Sequence, residues 1–213
     1  MKNYVLLILL LLVSCKKNSP KPEATIKDET IGLKYEVLNQ LISDELKDDS
    51  LMGINKDFTN NYVYNISAKN IYLENKNKNS DEPPPPPNFG ISLEYDSIFL
   101  QKDSAYYLQQ DKALSNFTFN KNRIKKKLQY TNDEELYKIH QIKTGDFWNE
   151  FHKRYNDKCI RTFSVPFFNE NKTFCIVQYS MSCGPLYGGG NTAIYKKTNR
   201  KWTRIKSFDN WVS

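Results

Sequence analysis

The sequence has few of the residues and spacings on which common active sites and metal centres depend. Its histidines are His140 and His152, and their separation matches no helical zinc pair. No serine lies in a Gly-x-Ser-x-Gly elbow, no Cys-x-x-Cys pair occurs, and the glycine run 188–190 lacks the Gly-Lys-Ser/Thr ending of a phosphate-binding loop. These absences argue against a serine hydrolase, a P-loop enzyme and a zinc protein, and we expect neither a metal nor a cofactor.

Long hydrophobic runs are also scarce, and the main one stands at the amino terminus. Residues 5–13 are all apolar, follow the basic Lys2, and are followed by Ser14 and Cys15. This run is shorter than the roughly 20 residues that a membrane-spanning helix requires. The ending Leu-Val-Ser-Cys resembles the lipobox of a bacterial lipoprotein signal peptide, which makes residues 1–14 a leader.

The resemblance to a lipoprotein implies a cellular location for the protein. It implies cleavage between Ser14 and Cys15 and acylation of Cys15, and two or three acyl chains anchor a protein to a membrane without spanning it. Surface-exposed lipoproteins of the kind that this segment resembles carry acidic residues directly after the cysteine. In this sequence Cys15 is followed by the basic residues Lys16 and Lys17. We therefore predict a cell-envelope protein that is lipid-anchored in the outer membrane and faces the periplasm.

The remaining cysteines predict one disulfide. With Cys15 acylated, Cys159, Cys175 and Cys183 stay in a compartment that permits disulfides, and three thiols allow one internal bridge and one buried free thiol. The segment from Cys175 to Cys183 spans roughly 26 Å when extended, which is too far for a direct bond. We expect Cys159 to be bridged, with Cys183 preferred over Cys175 as its partner.

The domain organisation follows from composition. Residues 15–29 are polar and contain prolines, as expected of a flexible tether, and a hydrophobic content of 39% is enough for 30–213 to form one domain with a core. Within it, residues 80–88 include five consecutive prolines. A stiff exposed loop is a simpler interpretation of this run than a docking motif.

Hydrophobic periodicity predicts an α+β fold. Thr30 is placed to cap a helix that ends near Leu46, and shorter amphipathic helices begin at Asp103, Asp133 and Asp146. Strands are predicted at 61–73, 91–95, around Phe117 and Phe119, and at 122–130, 159–168, 173–182, 191–197 and 201–208. Turn-rich segments separate the last four strands, which predicts an antiparallel meander in the C-terminal half packed against the helices. Arg123, Lys125 and Lys127 are interpreted as a solvated strand face.

Several segments resemble a family of uncharacterised lipoproteins from Bacteroidota over roughly the last two thirds of the chain. They are Phe-Trp-Asn-Glu-Phe at 147–151, Phe-Ser-Val-Pro-Phe-Phe at 163–168, Cys-Gly-Pro-Leu-Tyr-Gly at 183–188, Lys-Trp at 201–202 and Trp-Val-Ser at 211–213. The family's usual glycine segment is Cys-Gly-x-x-Cys-Gly, and Tyr187 replaces the second cysteine here. The resemblance implies a fold and an envelope location but no established activity.

These observations lead to one main functional hypothesis and two alternatives. The main hypothesis is a non-catalytic, lipid-anchored envelope protein that contacts an envelope protein or a glycan. The alternatives are a periplasmic hydrolase or thiol enzyme, with Cys183 as nucleophile and His152 as base, and an immunity-type inhibitor.

The net charge of +7 could favour anionic partners, but we expect no nucleic acid to be bound by an exported protein. Asp-Ser-aliphatic tripeptides also predict O-glycosylation at Ser50, Ser97 or Ser104.

Overall fold

The computed structural model describes residues 28–51, 61–74, 90–142 and 145–213. The predicted leader, the predicted lipidation site Cys15, most of the predicted tether and the proline-rich segment 80–88 lie outside the described residues. The helices are α1 (Ile31–Leu51), α2 (Ser104–Ser115), α3 (Asp133–His140) and α4 (Phe147–Tyr155). The strands are β1 (Tyr62–Ser67), β2 (Ile71–Glu74), β3 (Ile91–Glu94), β4 (Gln129–Thr131), β5 (Cys159–Ser164), β6 (Phe167–Phe168), β7 (Phe174–Gly184), β8 (Tyr187–Thr198) and β9 (Lys201–Val212). In these ranges no helix is both long and apolar enough to cross a membrane.

The main sheet is mixed, and the α+β class is confirmed. Its strand order is β4-β1-β5-β7-β8-β9, with β6 also paired to β7. Strands β7, β8 and β9 form the predicted antiparallel meander, whereas β1 pairs in parallel with both β4 and β5. Parallel neighbours require long crossover connections, and here these connections carry the helices. Strands β2 and β3 form a separate parallel pair.

Two of the predicted strands differ from the structure: one is a loop, and the other is a strand only at its end. Phe117 and Phe119 lie in the loop after α2, where both rings contact Tyr35 of α1. Their alternation therefore reflects packing against a helix. The segment 122–130 begins in a short 3-10 turn, and only β4 at its end joins the sheet.

The basic side chains of that segment are exposed, as predicted, but they do not form a strand face. Arg123 ends the 3-10 turn and lies over the ring of Tyr35, with 4.1 Å from Cζ to the ring centroid. Lys125 and Lys127 lie in the irregular segment that follows this turn.

The predicted strand 61–73 is also divided, since β1 and β2 belong to different sheets. All six residues of β1 are buried because both faces of the sheet are covered there. Tyr62, Tyr64 and Ile66 join the core that includes α1, and Val63 packs with residues of α3 and α4. The sequence pattern therefore does not mark where β1 ends.

Helix α1 begins as predicted but extends beyond Leu46 to Leu51. The backbone carbonyl of Thr30 accepts the first helical hydrogen bond, from the backbone N–H of Lys34 (2.9 Å). The Thr30 hydroxyl does not cap the helix, because it donates to Asp28 Oδ1 (2.6 Å). Asp28 also accepts from the buried Lys34 ammonium (2.7 Å), so the last predicted tether residues are part of the folded domain.

A buried ion pair fixes the end of α1 to the sheet. The guanidinium of Arg161, in β5, donates to both carboxylate oxygens of Asp49 (2.9 and 3.1 Å). Its Cζ lies 3.8 Å from the ring centroid of Tyr62. Burial alone would lower the pKa of Arg161, but the hydrogen bonds to Asp49 raise it above its ordinary value. Arg161 therefore stays charged under the helix.

The disulfide joins Cys159 to Cys183, the pairing that the sequence analysis preferred. It connects β5 to β7 one step beyond the paired residues Ile160 and Ser182. Cys175 is free and fully buried, and burial raises the pKa of its thiol well above the ordinary value. A thiol in that environment is unreactive.

Candidate functional site

A cleft of about 820 Å³ opens where the parallel strands β1 and β4 end. One wall is the loop 117–122, and the other runs from Tyr130 in β4 to Glu135 in the first turn of α3. Ile66 and Ala68, at the end of β1, complete the lining. Ligand sites are frequent at the carboxyl ends of parallel strands, because the loops that leave the sheet converge there. We call this cavity the strand-end cleft.

The first carboxylate of the cleft is Asp133, and two side chains of β1 hold it. Asn65 Nδ2 donates to Asp133 Oδ1 (2.7 Å), and Ser67 Oγ donates to Asp133 Oδ2 (2.6 Å). Asn65 and Ser67 alternate with the core-facing residues of β1, so both lie on the side of the sheet where α3 packs. The orientation of the Asp133 carboxylate is therefore fixed by the sheet itself.

The second carboxylate is Glu135, which is held in a similar way. Its Oε2 accepts from Thr131 Oγ1 (3.1 Å) and from the hydroxyl of Tyr155 in α4 (3.0 Å). The backbone N–H of Glu135 donates to Asn132 Oδ1 (2.8 Å), which caps α3. Burial raises the pKa of Tyr155, so its hydroxyl remains a donor.

Neutral donors orient both of these carboxylates. Among the described residues, no lysine, arginine or histidine forms an ion pair with Asp133 or Glu135. Glu134, which lies between them, is exposed and pairs with Lys138 (2.6 Å). The cleft thus presents two oriented acceptor groups that form no ion pair with another described residue, and the exposed Lys121 also lines it.

Aromatic side chains from both walls of the strand-end cleft meet, since Phe117 and Phe119 lie in the loop and Tyr130 lies in β4. Phe119 and Tyr130 are in contact, with ring centroids 5.0 Å apart, and Phe117 stands beside them in the lining. The Tyr130 hydroxyl is buried without a hydrogen-bond partner in the described ranges. Burial raises the pKa of Tyr130, so this hydroxyl keeps its proton and adds no charge to the cleft.

The cleft therefore combines aromatic faces with hydroxyl, amide and carboxylate groups. Asn120, Asn122 and Asn132 add further amides to the lining. The described residues contain no group of three or more histidine, cysteine, aspartate or glutamate side chains that could hold a metal ion. Such a surface suits a ligand that has many hydroxyl groups and some apolar faces.

The structure does not bring together the residues of the hypothetical thiol enzyme. Cys183 is in the disulfide, which lies on the side of the sheet covered by α1, beside Arg161. His152 belongs to α4, which packs on the opposite side, and its Nδ1 lies 3.8 Å from a carboxylate oxygen of Asp157. The other histidine, His140, is near Phe147.

The predicted glycosylation sites have different outcomes. Ser97 lies in an exposed bend and Ser104 begins α2 with an exposed side chain, so both are accessible. The side chain of Ser50 lies outside the described residues. Modification of any of the three stays a prediction.

In the sequence, Asp133 and Glu135 stand out only as the beginning of a helix, and the roles of Asn65 and Ser67 were not predicted. The available signal was weak: two polar residues at alternate positions of an otherwise apolar strand. A search of family models, of curated proteins and of solved structures finds no match to the chain. The resemblance to Bacteroidota lipoproteins therefore stays a prediction.

Proposed function

We propose that the protein is a lipid-anchored envelope protein that binds a glycan, without catalysis, in the strand-end cleft. The envelope address rests on the lipobox-like segment that ends at Cys15. The disulfide between Cys159 and Cys183 supports this address, because disulfides persist in oxidising compartments. The polar tether would allow the domain to move away from the membrane surface that holds its anchor.

The observation that carries the glycan proposal is a cleft whose lining combines two oriented carboxylates with aromatic side chains. Asp133 and Glu135 can each accept hydrogen bonds from sugar hydroxyls, and bonds to a charged acceptor are stronger than neutral ones. The rings of Phe119 and Tyr130 offer apolar surface to the C–H faces of a sugar. A volume of about 820 Å³ accommodates more than one sugar ring.

Asp133→Asn is expected to weaken glycan binding by about 10-fold, because the protein loses a charged group that accepts hydrogen bonds from the sugar hydroxyls. The measurement is titration calorimetry of the purified protein with solubilised peptidoglycan fragments and envelope polysaccharides. Asp209→Asn is the matched control, since Asp209 is exposed on β9 and is not in the cleft lining. Equal affinities for the Asp133→Asn variant and the wild type, or no binding of any glycan by the wild type, would contradict the proposal.

Cys15→Ala is expected to move the protein from the membrane fraction to the soluble fraction of the cells that produce it. Without the Cys15 thiol no acyl chain can be attached, and nearly all of the membrane affinity is lost. Ser19→Ala, four residues further along, serves as the control and should remain in the membrane. Mass spectrometry of the membrane form should show the acyl mass on Cys15. A membrane-bound Cys15→Ala variant would rule out the lipid anchor.

A further inference from the structure

A second cavity, of about 320 Å³, lies between α1 and strands β7, β8 and β9. We call it the helix groove. Its lining residues are Leu41, Asp44, Glu45, Asp48, Phe163, Tyr179, Asn191, Tyr195, Lys201, Trp202, Thr203 and Arg204. It shares no residue with the strand-end cleft, so its chemistry is independent of the function proposed above.

The α1 wall of the helix groove is acidic. Asp44, Glu45 and Asp48 lie within about one turn of each other, so their carboxyl groups share one side of the helix. Glu45 is partly buried beside Arg161 (3.9 Å), and burial raises its pKa. Asp44 forms an ion pair with Lys47 (3.6 Å) and accepts a hydrogen bond from Gln40 (3.2 Å). Asp48 is exposed and makes no hydrogen bond or ion pair with another described residue. This wall therefore retains an acceptor that nothing in the described ranges neutralises.

The opposite wall of the helix groove is basic. Lys201 and Arg204 are exposed on β9, and neither side chain forms a hydrogen bond or an ion pair within the part of the chain that the structure describes. Trp202, between them, is fixed to α1: its Nε1 donates to Glu36 (2.9 Å) and its backbone N–H donates to Gln40 Oε1 (2.8 Å). Hydrogen bonds of the protein itself therefore join the two charged walls.

The floor of the helix groove is the sheet surface, and it is both polar and apolar. Phe163 supplies apolar atoms from the sheet, while Asn191 and Tyr195 supply an amide and a hydroxyl, and Leu41 adds apolar atoms from α1. Burial raises the pKa of Tyr195 to about 12, so the hydroxyl stays protonated at neutral pH. A small ligand on this floor would meet hydrogen-bonding groups below and opposite charges on its two sides.

We propose that the helix groove binds a small zwitterion, that is, an amino acid or a short peptide. Its ammonium group lies against Asp44 and Asp48, and its carboxylate lies against Lys201 and Arg204. A purely cationic or purely anionic ligand would satisfy one wall and be repelled by the other. The volume of about 320 Å³ is at the lower end of the range for small-molecule sites and suits a ligand of dipeptide size.

The proposal is tested by titration calorimetry of the purified full chain with alanylalanine, with its N-acetylated form and with its C-terminal amide. Free alanylalanine should bind, and blocking either end should weaken binding by about 10-fold, because each block removes one charge-assisted contact. Asp48→Asn should produce the same loss for the free dipeptide, and so should Arg204→Gln. Lys206→Gln is the control, since Lys206 lies on β9 but outside the groove lining.

Three outcomes would overturn the proposal. They are the absence of binding by free alanylalanine, equal binding of the free and the blocked peptides, and an equal loss of affinity in the Lys206→Gln control. Because both groove variants change exposed side chains, they should leave the fold intact. Thermal unfolding of each variant will verify this.

Discussion

Arg161→Ala is expected to lower the free energy of unfolding by about 3–5 kcal/mol, because it leaves the carboxylate of Asp49 without its partner under α1. The side chain of Arg161 is only 3% exposed and that of Asp49 is 15% exposed, so water can replace little of the lost interaction. The substitution also removes the stacking of the guanidinium on the ring of Tyr62. Urea denaturation followed by circular dichroism measures the change.

A double variant separates the ion pair from simple packing. Asp49→Asn combined with Arg161→Met removes both charges and keeps most of the volume, so it should recover part of the stability lost in Arg161→Ala. Lys138→Met breaks the exposed pair with Glu134 and should leave the stability nearly unchanged, because solvent screens this pair. If Arg161→Ala costs no more than Lys138→Met, the buried pair does not hold α1 on the sheet.

Removing the disulfide with Cys159→Ala and Cys183→Ala together is expected to cost about 3 kcal/mol. The two cysteines are separated by 24 residues, and opening this loop increases the conformational entropy of the unfolded chain. Urea denaturation with and without a reductant measures the effect. The reductant should destabilise the wild type to about the level of the double variant and should leave the variant unchanged. Equal stability of the wild type under both conditions would mean that the bridge contributes nothing.

The sequence predicts best what depends on neighbouring residues. Strands β7, β8 and β9 are joined by short turns, and their pairing partners follow one another along the chain, so alternation and turn residues are sufficient to predict the meander. The parallel pairing of β1 with β4 and β5 joins segments that are far apart. A hydrophobic pattern does not indicate which distant strand pairs with a given strand. The part of the sheet formed by β4, β1 and β5 was therefore not predicted.

The candidate sites show the same division between local and distant information. Asp133 was predicted as the start of a helix, which is correct, but its partner Asn65 is 68 residues away in sequence. Arg161 and Asp49 are 112 residues apart and carried no signal of pairing. The Cys159–Cys183 bridge is the exception, because the spacing between cysteines and the reach of a disulfide leave few possibilities.

The most direct test of the glycan proposal is to locate the bound ligand by NMR. The purified protein is titrated with the glycan that gives the largest heat in calorimetry, and the ring resonances of Phe119 and Tyr130 are followed together with the side-chain amide of Asn132. The proposal predicts that these resonances shift with a common dissociation constant, while those of Tyr195 and Asn191 in the helix groove stay unchanged. Shifts confined to the helix groove, or no shifts in the strand-end cleft at saturation, would contradict it.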